Sequence, residues 1–325
     1  MQQTGKQRRL ALVVDLGGTK MIIAIISDKG EVISRQYHPT LADEGPQAVI
    51  ERLLSGIDRL IKESKLSPSQ LRAISLATAG VIDIKRGIVT ESPNLPGWKN
   101  IALRSIVEEK YKLNTFLIND ADAAALGEHR FGAGRGINTL ILLTLGTGIG
   151  GGIIIDGKLY IGPTGSAAEI GHMVIDANGP ECSCGHNGCL ETLASGTAVA
   201  REAINRISQG EKSSIAEMVK GKIEAITAET VYLAAKDGDS LALEAIAKAA
   251  YYLGLGVVNL VNIFNPEMVI MGGGMANMGD LLLEPVRGMV KERAFPLLAQ
   301  SVRIVTARLG NDAGVFGAAA FALEQ

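Results

Sequence analysis

VVDLGGTKMIIAII, residues 13–26, consists of two apolar runs joined by a short turn that contains two glycines. The run that leads into this turn, LALVVD (10–15), is typical of a strand buried on both faces. The second run extends to residue 28, KGE (29–31) interrupts it, and VISRQYH (32–38) follows. Two such breaks between short β-branched runs predict an antiparallel meander.

The same pattern occurs again about 130 residues later, as LLTLGTGIGGGIII (142–155). Aligning the two segments places Asp15 opposite Thr144 and Gly17 opposite Gly146. A strand, glycine turn and strand that occur twice indicate an internal duplication. The repeat therefore predicts two lobes of similar core topology that face each other.

The remainder of the chain alternates between buried strands and helices, which predicts an α/β protein. Apolar runs predict strands at 73–80, 114–120, 267–274 and 301–310. Helical spacing predicts helices over 46–64, 121–132, 191–208, 213–220, 227–236, 239–262 and 311–324, the last with Asn311 or Asp312 as its N-cap. Residues 251–270 are apolar but include three Asn, a Pro and a Glu, which favours a buried helix and strand over a membrane span.

Composition excludes several classes of protein. The 325 residues carry a net charge of −2, so no basic excess indicates nucleic-acid binding. The basic N-terminal segment MQQTGKQRRL is followed by an apolar run that stops at Asp15, too short for a signal peptide. Few cysteines, no signal and no span predict a cytoplasmic protein that contacts neither membranes nor nucleic acid.

All three cysteines lie within eight residues, in CSCGHNGC (182–189). Three thiols cannot all pair as disulfides, and the redox motif CxxC is absent, so the cluster predicts a metal site. Zinc takes four ligands in a tetrahedron, which leaves a histidine as the fourth, either His172 or His186. His186 would have to fold back between thiolates that are already close, which favours His172. Four protein ligands leave no position for water, so the zinc would be structural.

The two glycine turns suggest a nucleotide site. Glycine lets backbone N–H groups approach phosphate oxygens closely, although a turn that simply needs glycine is the alternative. Neither turn matches the P-loop pattern. Two facing turns would clamp a nucleotide, and Asp15 would hold Mg²⁺ through water. MGGG (271–274), after a third strand, would let a base or ribose lie against the backbone.

Three acidic positions have both a functional and a structural interpretation. Asp120 and the neighbouring Asn119 end a buried strand and precede an alanine-rich helix. They either cap that helix or bind a ligand at the carboxyl edge of a parallel sheet. Glu169 and Glu191 would be surface charges if isolated, but each lies beside a candidate metal ligand. That proximity favours a functional role for both.

Taken together and in order, DLGGTK, IND (118–120), LGTGIGGG, EIGH (169–172), CSCGHNGCLE (182–191) and NPEMVIMGGG resemble the ROK family of sugar kinases and repressors, and within it the bacterial ATP-dependent glucokinases. The resemblance covers about residues 10 to 320. It implies the two-lobed actin-like, hexokinase-like ATPase fold, with duplicated RNase H-like units and a structural zinc loop. It also implies a smaller lobe of residues 1–121 and 311–325, a larger lobe of residues 122–310 with the zinc loop, and an active-site cleft between them.

The resemblance assigns roles residue by residue. It implies that Asp120 is the general base that takes a proton from a hexose hydroxyl, and that the sugar contacts are Gly80, Asn94, Asn119, Asp120, Glu169, His172 and Glu191. It implies ATP contacts at Asp15, Gly17, Gly18, Thr19, Lys20, Gly146, Thr147, Gly148, Gly273 and Gly274. It implies a zinc set of His172, Cys182, Cys184 and Cys189. One departure is TAG (78–80), where many relatives have a proline before the glycine.

The implied activity is phosphorylation of glucose by ATP with Mg²⁺, in a homodimer or homotetramer. A kinase for N-acetylmannosamine, N-acetylglucosamine, fructose or allose has the same motifs. A ROK repressor is less expected, because only 14 residues precede Asp15 and a helix-turn-helix domain needs more. The intact Asp15, Asp120 and glycine turns argue against a non-catalytic sugar sensor.

Overall fold

The computed structural model describes residues 9–92 and 94–325. Most of the basic N-terminal segment lies outside the described residues, as does Pro93, which precedes the predicted sugar contact Asn94. The first five-stranded sheet contains β1 (Leu10–Leu16), β2 (Lys20–Ser27), β3 (Val32–Pro39), β4 (Leu71–Thr78) and β8 (Thr115–Asn119). A small antiparallel sheet follows β4 and contains β5 (Val81–Asp83), β6 (Ile88–Glu91) and β7 (Lys99–Ile101).

The second five-stranded sheet repeats the plan of the first. It contains β9 (Leu140–Leu145), β10 (Ile149–Ile155), β11 (Lys158–Leu159), β12 (Met268–Gly272) and β13 (Arg303–Thr306). The strand orders are β3-β2-β1-β4-β8 and β11-β10-β9-β12-β13. In each sheet an antiparallel meander is extended by two parallel strands. Asp15 and Thr144 are both the last residue but one of their strands, as the aligned repeat requires.

Eleven α-helices lie in the described part of the chain. They are α1 (Pro46–Ser64), α2 (Leu103–Tyr111), α3 (Asp120–Phe131), α4 (Leu190–Ala194), α5 (Gly196–Ser208), α6 (Ser214–Met218), α7 (Ala228–Lys236), α8 (Ser240–Phe264), α9 (Asp280–Arg293), α10 (Pro296–Ser301) and α11 (Ala313–Glu324). Helices α1 and α2 cover the outer face of the first sheet, and α4 to α10 form the cover of the second.

Helices α3 and α11 pack against each other between the two sheets. Alanines and glycines dominate both helices, so their backbones approach closely. A Cβ on Gly317 would overlap the carbonyl of Ala123, and a Cβ on Gly127 would overlap that of Ala313. Apolar side chains of α11 pack on the first sheet, and those of α3 pack on the second. These two helices therefore connect the two halves of the duplication.

The apolar segment 251–270 is a buried helix followed by a strand, as predicted. Helix α8 is long and apolar enough to span a membrane by length and composition, but most of its apolar window is buried inside the protein. Its buried residues, among them Leu253, Val257 and Val261, belong to the core of the second half. Burial in a protein core therefore explains the apolar character of α8.

Several sequence predictions need correction. The helix predicted over 191–208 is two helices, because Ser195 ends α4 and caps α5 by accepting a hydrogen bond from the Ala198 amide at 3.2 Å. Asp312 occupies the N-cap position of α11 but makes no capping hydrogen bond, and it forms an ion pair with Arg35 at 2.5 Å instead. Strands β5 to β7 and helices α2, α9 and α10 were not predicted. Most of them are short, and the 14-residue α9 contains Pro285, which argues against a helix in the sequence.

Candidate functional site

The first glycine turn, residues 17–19, joins β1 to β2 and is held by backbone contacts. The Gly17 amide donates to the Lys20 carbonyl at 3.0 Å. Thr40 fastens the turn from outside: its amide donates to the Thr19 carbonyl at 2.9 Å, and its hydroxyl donates to the Gly17 carbonyl at 2.6 Å. Uncharged groups of the first half therefore fix the position of the first turn.

Asp15 lies at the start of this turn and points into a region of negative charge. Burial, the largest cause, and the charges of Asp120 and Asp312 together raise its pKa to about 7, although Lys20 lowers it. A carboxylate in such surroundings is stabilised by a cation. The Asp15 position therefore fits Mg²⁺ carried by a nucleotide.

The second glycine turn, residues 146–148, joins β9 to β10 and is held by other segments of the second half. The Gly146 amide donates to the Gly148 carbonyl at 2.9 Å. The Gly196 amide, at the start of α5, donates to the Gly146 carbonyl at 2.8 Å. The Ile149 amide donates to the Glu191 carboxylate at 2.8 Å. Gly273 also lies against this region, because a Cβ there would overlap the Leu145 backbone.

A cavity of about 890 Å³ opens beside the second turn. It brings together Gly146, Thr147 and Gly274 of the predicted ATP contacts. The remaining walls come from α5, α7 and the segment after β12, and include Ile226, Tyr232, Leu233, Met275 and Met278. Sequence reasoning missed these walls because apolar residues at helical spacing carry no ligand signal. An apolar cavity of this size suits a planar ring such as adenine.

A second cavity, of about 60 Å³, lies where β8 meets α3. It brings together four of the seven predicted sugar contacts, Gly80, Asn119, Asp120 and Glu169. Glycines of β10 and the segment 165–168 form its other walls. The three remaining predicted contacts, Asn94, His172 and Glu191, do not line this cavity.

Asn119 and Asp120 have different roles: Asn119 caps helix α3, and Asp120 lines the smaller cavity. The Asn119 side chain caps α3, because its oxygen accepts hydrogen bonds from the amides of Ala121 at 2.8 Å and Asp122 at 3.3 Å. Its amide nitrogen donates to the Gly80 carbonyl at 3.3 Å. Asp120 is the first residue of α3 and its carboxylate accepts from the Ala121 amide at 2.9 Å. Capping by Asn119 thus leaves the Asp120 carboxylate directed to the cavity.

Burial raises the pKa of Asp120, which increases its affinity for a proton. The backbone amides of Ala121 and Asp120 oppose this effect, and the charge of Glu169 adds to it. The amides stabilise the ionised form, whereas burial makes that form more basic than a carboxylate in water. This is the electrostatic balance that a general base needs.

Asp122 is a cavity residue that sequence reasoning missed. It is 2% exposed, lines the smaller cavity, and its Oδ1 atom has no hydrogen-bond partner in the described chain. Burial, the largest cause, and the charges of Glu169 and Asp120 together raise its pKa to about 8. The only sequence signal was an acidic residue inside an otherwise apolar helix turn, ADAAAL (121–126).

The other predicted sugar contacts lie around these cavities. Asn94 lies against the first turn, since a Cβ on Gly18 would be 2.7 Å from the Asn94 carbonyl oxygen. His172 directs Nε2 toward the Glu169 carboxylate, 4.0 Å away, and its other ring nitrogen toward Cys182. Glu191 lies beside the second turn.

Four side chains, His172, Cys182, Cys184 and Cys189, place one donor atom each within 4.8 Å of all the others. The Cys184 and Cys189 sulfurs are 3.6 Å apart, as are the Cys182 sulfur and His172 Nδ1. Ligands about 2.0–2.3 Å from a tetrahedral zinc lie at similar separations from one another. His186 Nδ1 lies 3.6 Å from Cys184 but is not in this mutually close set. The residues therefore fit a closed zinc site with the predicted ligands.

Comparison with known proteins gives consistent results. The sequence profile of the ROK family matches residues 11–325. A glucokinase of Halalkalibacterium halodurans is 38% identical over 94% of this chain and 92% of its own length. A xylose repressor of Caldicellulosiruptor bescii is 35% identical over 99% of this chain and 80% of its own length. The crystal structure of a ROK family glucokinase from Streptomyces griseus, in complex with glucose and AMPPNP, is 33% identical, with a TM-score of 0.83 over 97% of this chain and 100% of that one. The fold is thus that of ROK glucokinases, and the chain belongs to the ROK family.

Proposed function

We propose that the protein transfers the γ-phosphoryl group of ATP to the 6-hydroxyl of glucose. The observation that carries this proposal is the Asp120 carboxylate, which lines the smaller cavity at the start of α3 beside Asn119 and Glu169. The similar glucokinase structure with glucose and AMPPNP supports the choice of both substrates. The same reaction is the one that the sequence resemblance implies.

In the proposed reaction Asp120 accepts the proton of the sugar hydroxyl as its oxygen attacks the γ-phosphorus. The bond between that phosphorus and the β,γ-bridging oxygen breaks, and ADP leaves with the electron pair. Phosphoryl transfer requires mainly alignment and neutralisation of charge. Burial, which raises the pKa of Asp120, makes its carboxylate a stronger base for this step.

The nucleotide would bind along both glycine turns. Its phosphates would meet the backbone of residues 17–20 and 146–148, and its base would enter the large apolar cavity beside Gly274. Asp15 would hold Mg²⁺ through water, and the cation would neutralise charge on the phosphates. The cleft lies between the proposed lobes, residues 1–121 with 311–325 and residues 122–310.

The zinc that the four donors fit would have a structural role. It would fix His172 through Nδ1, which leaves Nε2 free to face a sugar hydroxyl beside Glu169. Asn94 and Glu191 would complete the sugar contacts when the cleft closes. We further propose a homo-oligomer, as the resemblance implies, in the cytoplasm, as the cysteine content and the apolar pattern of the sequence predict.

The variant Asp120→Asn tests the base. It should lower kcat on the order of 10²-fold to 10⁴-fold, while the protein still folds and glucose affinity by calorimetry changes little. Asp58→Asn is the matched control, because it removes the same charge at an exposed ion pair with Lys110. Turnover by Asp120→Asn at the rate of the control would contradict the assignment.

A panel of sugars with ATP, followed by ADP release, tests the substrate. Glucose should give the highest kcat/KM among glucose, fructose, allose, N-acetylglucosamine and N-acetylmannosamine. Preference for another member would identify a different ROK kinase. If the protein binds a sugar but releases ADP with none of them, a sugar-responsive regulator would be favoured. The similarity to a xylose repressor supports that alternative.

A further inference from the structure

We propose that Glu191 is a positioning residue that couples the metal cluster to the second glycine turn, so that metal occupancy sets nucleotide affinity. This inference rests on the proposed function, because it assumes that the turn of residues 146–148 receives phosphates. It differs from the sugar-binding role expected for Glu191, because it concerns the other oxygen of the same carboxylate.

The contact of Glu191 with the turn is direct. Its Oε2 atom accepts the hydrogen bond from the Ile149 amide at 2.8 Å. The same atom occupies the space next to Gly148, where a Cβ would overlap it. An anionic side chain so close to a phosphate turn would repel phosphate if it faced the ligand. Its use is therefore to hold the turn backbone, which leaves Oε1 for other contacts.

Glu191 is also connected to the metal ligands by backbone structure. Cys189 is the N-cap residue of α4, and Glu191 lies in the first turn of that helix. The Leu190 amide donates to the Met173 carbonyl at 2.9 Å, and Val174 pairs with Cys189 in a β-bridge. The segment after His172 and the start of α4 are thus adjacent. A metal bound to His172 and Cys189 would crosslink these two segments and fix where α4 begins.

The helix that follows strengthens the connection. Beyond the Glu191 contact, the Gly196 amide donates to the Gly146 carbonyl at 2.8 Å, and the Thr197 hydroxyl donates to the Thr147 carbonyl at 2.8 Å. Three hydrogen bonds thus join residues 191–197 to residues 146–149. The whole second turn is held by the segment that starts at the last cysteine ligand.

The test is calorimetric binding of Mg·ADP without sugar. Wild type, Glu191→Ala and Glu191→Gln are compared, each with zinc and after removal of zinc by a chelator that is then dialysed away. Loss of a charge-assisted hydrogen bond should weaken ADP binding by Glu191→Ala about tenfold. Glu191→Gln keeps a carbonyl acceptor for the Ile149 amide and should lose no more than about threefold. Glu202→Ala, which removes a carboxylate of α5 that pairs with Lys248 of α8 at 2.8 Å and does not contact the turn, should bind ADP like wild type.

The decisive comparison is between metal removal and mutation. Zinc removal should weaken ADP binding about tenfold in wild type but only about twofold in Glu191→Ala, because both changes release the same contact. Hydrogen exchange of the Ile149 amide should accelerate in both cases. Equal losses on zinc removal in the two proteins, or unchanged ADP affinity in Glu191→Ala, would overturn the coupling. Failure of wild type to bind ADP would overturn the nucleotide site itself.

Should Glu191→Ala fail to fold, the zinc titration of wild type and of Glu191→Gln decides the matter. Wild type and Glu191→Gln should then regain ADP affinity in proportion to added zinc. An ADP affinity that does not change with zinc concentration in either protein would count against the proposal.

Discussion

The two glycine turns have the same place in the duplicated sheets but obtain their charge from different sources. The first turn directly follows a strand that contains the carboxylate Asp15, and the uncharged Thr40 holds this turn by hydrogen bonds. The second has Thr144 at the matching position and is held by the carboxylate of Glu191, which belongs to helix α4, 42 residues from Ile149 in the sequence. Duplication thus preserved the backbone, whereas the charged groups diverged.

The difference suggests that the two carboxylates have different roles. A carboxylate in the strand just before the first turn suits a direct role near a nucleotide cation. The Glu191 carboxylate suits a positioning role at the second turn, because one of its oxygens accepts a hydrogen bond from the Ile149 amide. We therefore expect matched substitutions in the two turns to fail in different ways.

Among substitutions at the matching positions of the two repeats, Asp15→Asn should have the largest effect on turnover, and Thr144→Val is its counterpart. Asp15→Asn removes the proposed Mg²⁺ carboxylate and should lower kcat about 10²-fold or more, with a higher Mg²⁺ requirement. Thr144→Val keeps the shape of the side chain and should change kcat by less than about fivefold. Steady-state kinetics across a Mg²⁺ titration measures both, and similar losses in the two variants would remove the distinction.

The sequence predicted the duplication because strand and glycine spacing are local signals. Buried strands read as apolar runs, and the alignment of Asp15 with Thr144 agrees with their matching places in β1 and β9. The zinc ligands were predictable for a related reason, since three of them lie in eight residues. Local spacing therefore predicts the duplicated α/β core and the three cysteine ligands, whereas the two-lobed fold class and the choice of His172 as the fourth ligand also rested on the resemblance to the ROK family.

Contacts between distant segments were not predictable in this way. The bond from Glu191 to Ile149 joins residues 42 apart, and nothing in either segment indicates it. The walls of the large cavity come from three separate elements whose apolar residues resemble ordinary core. Asp122 was missed because its burial depends on how α3 packs against Gly152 of β10. Tertiary packing, and not local pattern, decides these features.

A smaller effect should distinguish Gly148→Ala from Gly18→Ala. A methyl group on Gly148 meets the movable end of Glu191, so Gly148→Ala should reproduce the tenfold loss of ADP affinity of Glu191→Ala with little loss of stability. A methyl group on Gly18 would lie 2.7 Å from the backbone oxygen of Asn94, so Gly18→Ala should lower the thermal midpoint. Calorimetry and thermal melts measure the two quantities. Equal ADP affinities for Gly148→Ala and wild type would show that Glu191 does not hold the turn.

The smallest effect on turnover, with a larger one on stability, is expected for Asp122→Asn. Asp122 lies on α3 and packs against β10 of the second repeat. The variant therefore compares the cost of a buried carboxyl group in the second repeat with its cost at Asp15 in the first. Its pKa is about 8 in the folded protein, against an ordinary value of 3.8. Between these values the unfolded chain loses its proton while the folded protein retains it, so wild type loses stability as pH rises. The variant has no such proton to lose.

The thermal midpoint of Asp122→Asn should therefore exceed that of wild type by a margin that grows from pH 5 to pH 8, reaching at least about 3 °C, and then stays constant. Asp15→Asn should show the same sign with a plateau near pH 7, because burial raises the pKa of Asp15 to about 7. The two variants would thus gain stability alike while only Asp15→Asn loses turnover. A margin for Asp122→Asn that is independent of pH would mean that the Asp122 carboxyl titrates normally, and that the second repeat accommodates a buried charge as readily as water does.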